Sequence, residues 1–160
     1  MTNIYRHSAE NHHHLSVGAI IVNDKGQVLC HHHLETKHFG PVFHDLYLLM
    51  RETVEPNEAL EAAVQRGCLE EMGAEVNIAE YLGPIVAKFS ENGREIEKTT
   101  LYFRCQLIKL DAGLRDSNDP ESSSVLEWHD TDFLIKKSAD QARELGRADI
   151  DESAILQRLS

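Results

Sequence analysis

Apolar residues recur along the chain with two spacings, one typical of strands and one typical of helices. A nearly unbroken apolar run from Leu15 to Val22 predicts a strand that is buried on both faces. The polar cluster at 23–26 predicts a turn, and residues 27–30 predict a second strand that completes a hairpin. Residues 31–41 show little periodicity and are expected to form a loop, whereas residues 42–50 are apolar enough for a short strand.

The middle of the chain changes to helical spacing. A helix is predicted after Pro56, with Asn57 as its cap and Gly73 as its left-handed end. Beyond it, the predicted elements are a broken or bent strand over 76–89, a tight turn at Asn92-Gly93, a half-buried strand over 99–108, a loop over 111–124, a short strand over 125–128 and two helical pieces from 131 onward. This order predicts an α/β (α+β) fold with a mixed β-sheet and helices packed on it.

Length and composition limit the alternatives. The chain has 160 residues and 41% hydrophobic content, enough for a single packed domain. We expect a flexible N-terminal arm over 1–13 and one domain over 14–160. The sequence has neither an apolar run long enough to span a membrane nor a signal-peptide pattern. Its three cysteines, Cys30, Cys68 and Cys105, are far apart, which favours a reducing cytoplasm over a disulfide framework.

The charge balance excludes one class of partner. The net charge is −11 with neutral histidines, and no basic cluster offers a face to the backbone of a nucleic acid. An acidic protein can still bind polyphosphates, since bound cations reverse the local sign of the field.

Two adjacent glutamates, Glu70 and Glu71, are the first candidates for chemistry. Neighbouring carboxylates repel each other unless a cation lies between them, and hard divalent metals such as Mg²⁺ take oxygen ligands and often accompany a phosphate. The alternative interpretation is a solvated acidic helix face, which is what a charge run usually means.

The surrounding segment favours the metal. Residues 52–74 resemble the signature box of the Nudix hydrolases, Gly-x5-Glu-x7-Arg-Glu-U-x-Glu-Glu-x-Gly-U, in which U is apolar. The residues in register with it are Glu58, Arg66, Cys68, Glu70, Glu71, Gly73 and Ala74. Two positions depart from it: Glu52 replaces the first glycine of the box, and Gly67 replaces the glutamate that follows its arginine.

The resemblance implies a Nudix-like α/β/α sandwich and a set of roles. Glu70 and Glu71 would bind Mg²⁺ or Mn²⁺, and Glu58 and Arg66 would brace the loop and the helix as further members of the catalytic box. In the family, the glutamate missing at Gly67 binds metal and in several members is the general base. Glu52 could supply a side-chain oxygen instead, or the loop could run differently.

A base from outside the box is then needed. The candidates are Glu95, Glu97, Asp119 and Glu121, of which Glu97 and Glu121 are the first to test. Lys98 resembles a lysine that precedes the equivalent strand in relatives acting on polyphosphates. A surface lysine at a strand start is an equally good interpretation, and Trp128 is more simply explained as a core residue than as a platform for a base.

Histidines form two triplets, His12–His14 and His31–His33, beside the first hairpin. Imidazole binds Zn²⁺, Ni²⁺ or Cu²⁺, but consecutive strand residues point to alternate faces, so a triplet cannot direct three ligands at one ion. Adventitious binding to a nickel resin is the most that this pattern predicts. His38 and His44 could line a substrate pocket.

Three functions follow in order of preference. The first is a cytoplasmic, metal-dependent hydrolase that cleaves the pyrophosphate bond of a nucleoside diphosphate linked to another moiety, with a small-molecule substrate and a homodimer as the assembly that the resemblance suggests. The second is a catalytically impaired Nudix-fold module that senses nucleotides or binds a partner. The third is a histidine-rich metal-binding protein whose box is a coincidence.

Overall fold

The computed structural model describes residues 3–37 and 42–159. Its strands are β1 (His13–Val22), β2 (Val28–Thr36), β3 (Phe43–Leu48), β4 (Met50–Thr53), β5 (Ala74–Glu91), β6 (Arg94–Leu110) and β7 (Val125–His129). Its helices are α1 (Leu60–Met72), α2 (Thr131–Leu145) and α3 (Ser153–Leu156), joined by short 3-10 turns. The predicted mixed α+β fold is confirmed. No helix in these ranges is both long and apolar enough to cross a membrane.

The strands form one mixed sheet. Its main path runs β3-β2-β1-β6-β5, while β4 pairs with β1 and β7 pairs with β2. The pairing of β1 with β6 is parallel, and the other pairings are antiparallel. The first hairpin and the Asn92-Gly93 turn are both present, and the predicted broken strand is one long strand with register shifts near Gly83.

Two hydrophobic cores lie on opposite faces of this sheet. Val17, Ala19 and Ile21 of β1 pack in the core that includes the apolar stripe of α1. Ile20 points the other way, into the core that contains Leu134 of α2 and Ile155 of α3. The alternation of β1 side chains between two apolar layers explains its unbroken apolar run and confirms that it is buried on both faces.

The loop predicted from residue 31 onward is wrong for its first half. Strand β2 continues to Thr36, pairing with β7 through residues 28–32 and with β3 through residues 31–36. His31 and His33 are buried there, with exposures of 0% and 3%. Histidine is not a strong strand former, but two neighbouring strands satisfy the backbone and the rings have polar partners inside.

The beginning of α1 also differs from the prediction. The helix starts at Leu60, Ala59 occupies the cap position without a side-chain hydrogen bond, and Asn57 lies in a turn with φ 64°. The turn is closed by Glu58 N donating to Glu55 O. This turn lets the Glu58 carboxylate reach Arg66 instead of the helix amides.

Strand β6 is buried on both faces near its centre, so the predicted half-buried strand is wrong at Tyr102. The Tyr102 ring is 1% exposed and its hydroxyl donates to Glu152. The ring fits because Gly18 lies opposite it on β1; a Cβ on Gly18 would come within 2.5 Å of the ring.

The described part of the N-terminal segment contacts the domain. Asn3 Nδ2 donates to Val54 O at 3.1 Å, and Leu15 N donates to Tyr5 O at 2.7 Å. His7 reaches Glu91 at the end of β5, with Nε2 and Oε2 2.6 Å apart. Mobility of residues 1–13 stays a prediction.

Candidate active site

Arg66 connects the turn before α1 to the helix. Its Nε and Nη2 donate to the two carboxylate oxygens of Glu58 at 2.8 and 2.9 Å, and Nη2 also donates to Thr53 O at 2.9 Å. Such a bidentate pair fixes both distance and orientation. The hydrogen bonds to Glu58 come first among the causes that raise the pKa of Arg66. This geometry is the bracing arrangement that the resemblance implies.

Glu70 and Glu71 lie in different environments although they are adjacent in sequence. The side chain of Glu70 is 36% exposed and its Oε2 is 3.4 Å from Arg66 Nη1. Glu71 is buried, and its Oε1 is 3.0 Å from His31 Nε2. Both line one cavity.

Three of the carboxylates that line this cavity converge on one point. Glu52, Glu71 and Asp119 each place an oxygen within 4.8 Å of the others. Glu52 comes from β4, Glu71 from α1, and Asp119 from the loop before β7. Glu70, predicted as a ligand with Glu71, lines the cavity but is outside this cluster.

Glu52 reaches the cluster because Gly67 leaves room for it. A Cβ added to Gly67 would lie 2.8 Å from Glu52 Cβ and 2.7 Å from Met50 Sδ. Glu52 Oε1 accepts from Thr53 N at 2.9 Å, which holds the carboxylate at the start of the turn. The two departures from the box are therefore in contact with each other.

Arg115 brings the loop of Asp119 to the helix. Its Nε donates to Glu71 O at 2.7 Å, and Nη2 donates to Glu121 O at 2.6 Å. Asp119 Oδ1 accepts from Glu121 N at 2.9 Å, closing the 3-10 turn over 120–123. The loop is thereby fixed against the C-terminal end of α1.

Burial and mutual repulsion shift the protonation of the cluster. Burial, then the charges of Glu121, Glu52 and Asp119, raise the pKa of Glu71 well above its ordinary value. Burial also raises the pKa of Glu52, opposed by Arg66. Carboxylates this close cannot all ionise unless a positive charge joins them. The donor set, all oxygen and partly buried, suits Mg²⁺ or Mn²⁺.

The cavity is mixed in charge and has a volume of about 760 Å³. Its wall also includes the cations Lys98, Arg51 and Arg6, together with the Phe89 ring. Burial, helped by the charge of Arg51, lowers the pKa of Lys98 from 10.5 to about 7. A cavity lined by both carboxylates and cations has the chemistry to hold a metal-bound polyphosphate.

The structure separates the candidate bases into two groups. Asp119 and Glu121 line the cavity. Glu95 is on β6 and pairs with Lys88, 3.4 Å away, and Glu97 is paired with His13 in the sheet; both lie outside the described wall.

The other candidates lie elsewhere. His44 is exposed beside Glu35, Trp128 packs against the first core, and His38 lies outside the described residues.

The sequence predicts Asp119 only as a candidate base, and it gives no indication of the contacts of Arg115 or of the burial of His31 and His33. For Glu52 the sequence does give an indication, because a glutamate at the first glycine position of the box could supply a side-chain oxygen. The loop of Asp119 joins the site through Arg115, and a contact between positions so distant in sequence has no local pattern.

The comparisons with known proteins agree with this geometry. A family model described as the NUDIX domain matches residues 12–148. The chain belongs to the Nudix family. A search of curated proteins gave no match.

Solved structures of this family share the fold. A NUDIX hydrolase from Nitrosomonas europaea aligns with TM-score 0.61 and 19% identity over 83% of this chain and 89% of its own. The MutT protein from Methanosarcina mazei Go1 aligns with TM-score 0.61 and 17% identity over 90% of each chain. The E. coli ORF135 protein aligns with TM-score 0.55 and 18% identity over 91% of this chain and 86% of its own. At these identities the likeness concerns the fold.

Proposed function

We propose that this Nudix protein is a divalent-metal-dependent hydrolase that cleaves the pyrophosphate bond of a nucleoside diphosphate linked to another moiety. The observation that carries the proposal is the convergence of Glu52, Glu71 and Asp119 in a cavity that Lys98, Arg51 and Arg6 also line. A cytoplasmic location and a homodimer stay predictions.

The residues of the cluster would hold Mg²⁺ or Mn²⁺, with Glu70 beside them at the cavity wall. When bound, such a cation screens the charge of a diphosphate and acts as a Lewis acid toward its oxygens. Glu52 provides the carboxylate that the box normally has at position 67. Glu58 and Arg66 set the position of Thr53 and therefore of Glu52, its neighbour in the chain.

Other residues of the chain would orient the substrate. Lys98 and Arg51, which line the same cavity, offer positive charge to phosphoryl oxygens. Phe89 offers a ring in the cavity wall, which is suitable for a flat group of the leaving portion. Charge stabilisation of this kind is usually the largest contribution to such a reaction.

The base is expected among the carboxylates that reach the cavity from the loop before β7. Glu121 is the first to test, because Asp119 belongs to the oxygen cluster. A base acts on a water placed within hydrogen-bond reach, and both side chains line the space where a diphosphate would lie.

The alternative of an impaired, non-catalytic module rested on the missing carboxylate at position 67. Glu52 occupies the adjoining space and supplies a carboxylate there, which supports the catalytic proposal. The third interpretation, a chance match to the box, is removed by the family match and by the fold.

The test is hydrolysis of a panel of nucleoside diphosphate derivatives with Mg²⁺ or Mn²⁺, together with calorimetry of Mn²⁺ binding. We expect turnover that Glu71→Gln abolishes and that the exposed Glu61→Gln of the same helix leaves unchanged. Nucleotide binding without turnover under any metal would establish the sensing module instead.

A further inference from the structure

A second cluster of ligand-type side chains lies beside the carboxylates. His31 and His33 are two residues apart on β2, so their rings point to the same side, and their centroids are 5.5 Å apart in a stacked arrangement. Glu121 approaches from the loop before β7. One ligand atom from each of the three lies within 4.8 Å of the others.

The contact between His33 and Glu121 is unusual in its geometry. His33 Nε2 is 2.7 Å from Glu121 Oε2, and the His33 side chain is only 3% exposed. Nevertheless, among the described residues, His33 Nε2 makes no hydrogen bond. The two atoms are within ion-pair distance but not in hydrogen-bond geometry, and a cation bound between a buried imidazole nitrogen and a carboxylate oxygen would account for that arrangement.

His31 has the hydrogen-bond partner that a metal-binding histidine needs. Its Nδ1 is 2.5 Å from Ser124 Oγ, and that oxygen accepts from Arg115 Nη2 at 2.8 Å. With Nδ1 donating to Ser124, Nε2 would present its lone pair, as in metal sites where the second ring nitrogen is held by a neighbour. Glu71 Oε1, 3.0 Å from Nε2, is within reach as a further ligand.

We propose that His31, His33 and Glu121 form a site for a divalent transition metal of the zinc type, beside the oxygen cluster of Glu52, Glu71 and Asp119, from which Glu71 could be shared. Two imidazoles and one carboxylate are a common zinc-binding set, whereas Mg²⁺ prefers oxygen alone. The site goes beyond the proposed function and does not depend on it. If Glu71 or Glu121 also serves in hydrolysis, zinc occupancy would inhibit that reaction.

His32, which lies between His31 and His33 in the sequence, provides a matched control. His32 points to the other side of β2, where Nδ1 lies 2.7 Å from Glu127 Oε2 and Nε2 lies 2.5 Å from Asp45 Oδ1. Adventitious binding to the triplet would involve His32 as much as its neighbours. A site inside the protein would not involve it.

The experiment is a titration of the chelator-treated full chain with Co²⁺, followed by its visible absorption, and with Zn²⁺ by calorimetry. We expect one equivalent to bind with the intense absorption of a low-coordinate, nitrogen-ligated Co²⁺. His33→Gln should weaken Zn²⁺ binding at least about 100-fold, since losing even an outer partner of a ligand costs about 10–100-fold. His32→Gln should retain the wild-type affinity.

Two further variants complete the test. Glu121→Gln should weaken Zn²⁺ binding like His33→Gln, and it serves if circular dichroism shows His33→Gln unfolded. Glu52→Gln should leave Zn²⁺ binding intact while weakening Mn²⁺ binding, which separates this proposal from the proposed function. Absence of the Co²⁺ absorption, equal affinity in His33→Gln, or equal loss in His32→Gln would each overturn the proposal.

Discussion

Gly67 and Glu52 occupy adjoining space: a Cβ on Gly67 would lie 2.8 Å from the Cβ of Glu52. The family pattern has glycine at the strand position and glutamate at the helix position, and this chain has the reverse. In both arrangements, one of the two adjoining positions carries a carboxylate and the other has no side chain. The exchange explains why α1 has a glycine in its middle, although glycine lowers helix stability by about 0.8–1 kcal/mol relative to alanine.

Gly67→Ala should lower stability, although alanine is the better helix former. The Met50 sulfur, 2.7 Å from the added Cβ, belongs to a flexible side chain, but Glu52 Cβ is fixed by its strand. We expect a loss of about 1–3 kcal/mol, typical of overpacking, measured by urea unfolding. In a Glu52→Gly background the same substitution should cost less. A stabilised Gly67→Ala variant would mean that the two positions are not in contact.

Moving the carboxylate back to the helix should restore metal binding. Glu52→Gly should weaken Mn²⁺ binding about tenfold or more by removing one of three ligands. Gly67→Glu alone meets Glu52 and should be destabilised, so it is not by itself a fair test of activity. The double variant Glu52→Gly/Gly67→Glu should recover Mn²⁺ affinity by calorimetry. Its control, Glu52→Gly/Gly67→Ala, should not recover, and equal affinity of the two double variants would contradict a shared carboxylate position.

Arg66→Lys should destabilise the protein although it keeps the charge. Lysine cannot reproduce the fork that donates to both oxygens of Glu58 and to Thr53 O. Hydrogen bonds to charged groups contribute about 1.5–3 kcal/mol, and we expect a loss of roughly that size in thermal unfolding. Arg104→Lys is the control, because its pair with Glu80 is at the surface and should change stability by no more than about 0.5 kcal/mol. Equal effects in the two variants would contradict the bracing role.

The sequence predicted those features that depend on local patterns. The unbroken apolar run of β1, the Asn92-Gly93 turn and the left-handed Gly73 each follow from neighbouring residues, and all three are present. The errors concern residues whose conformation depends on distant partners. His31 is in a strand because β3 and β7 pair with β2. Asn57 does not cap α1: it lies in the turn before the helix, where the neighbouring Glu58 pairs with Arg66 eight residues further on. The place of Asp119 in the carboxylate cluster depends on contacts of Arg115 across the loop, which no spacing reveals.

Lys98 should take up a proton when a diphosphate binds. Its pKa of about 7 in the free protein is low because of burial and the nearby Arg51, and a bound anion would raise it again. At pH ~8, binding of methylenediphosphonate to protein already saturated with Mn²⁺ should therefore take up most of a proton. Calorimetry in buffers of different ionisation enthalpy measures this uptake. Lys98→Met should abolish the uptake and weaken binding, whereas unchanged uptake in Lys98→Met would place the titrating group elsewhere.

Acidification should destabilise the fold through His14, which is 8% exposed. Burial, followed by the charge of Lys98, lowers its pKa from 6.5 to about 3. Below its ordinary pKa the unfolded chain binds a proton that the folded chain excludes, so this contribution to stability is complete above pH 6.5 and is lost as the pH falls toward 3.

Below pH 6.5 the free energy of unfolding should fall by up to about 1.4 kcal/mol per pH unit through this group, or by roughly 2 kcal/mol in total at pH ~5. Its neighbours are consistent with a neutral ring: Nε2 lies 3.1 Å from Thr53 Oγ1 and Nδ1 lies 2.8 Å from His7 Nδ1. Urea unfolding of the wild type and of His14→Gln at several pH values measures the difference in slope. The slope should be shallower in His14→Gln, while in the exposed His13→Gln it should match the wild type. Parallel slopes in wild type and His14→Gln would show that His14 binds its proton equally in the folded and unfolded chains.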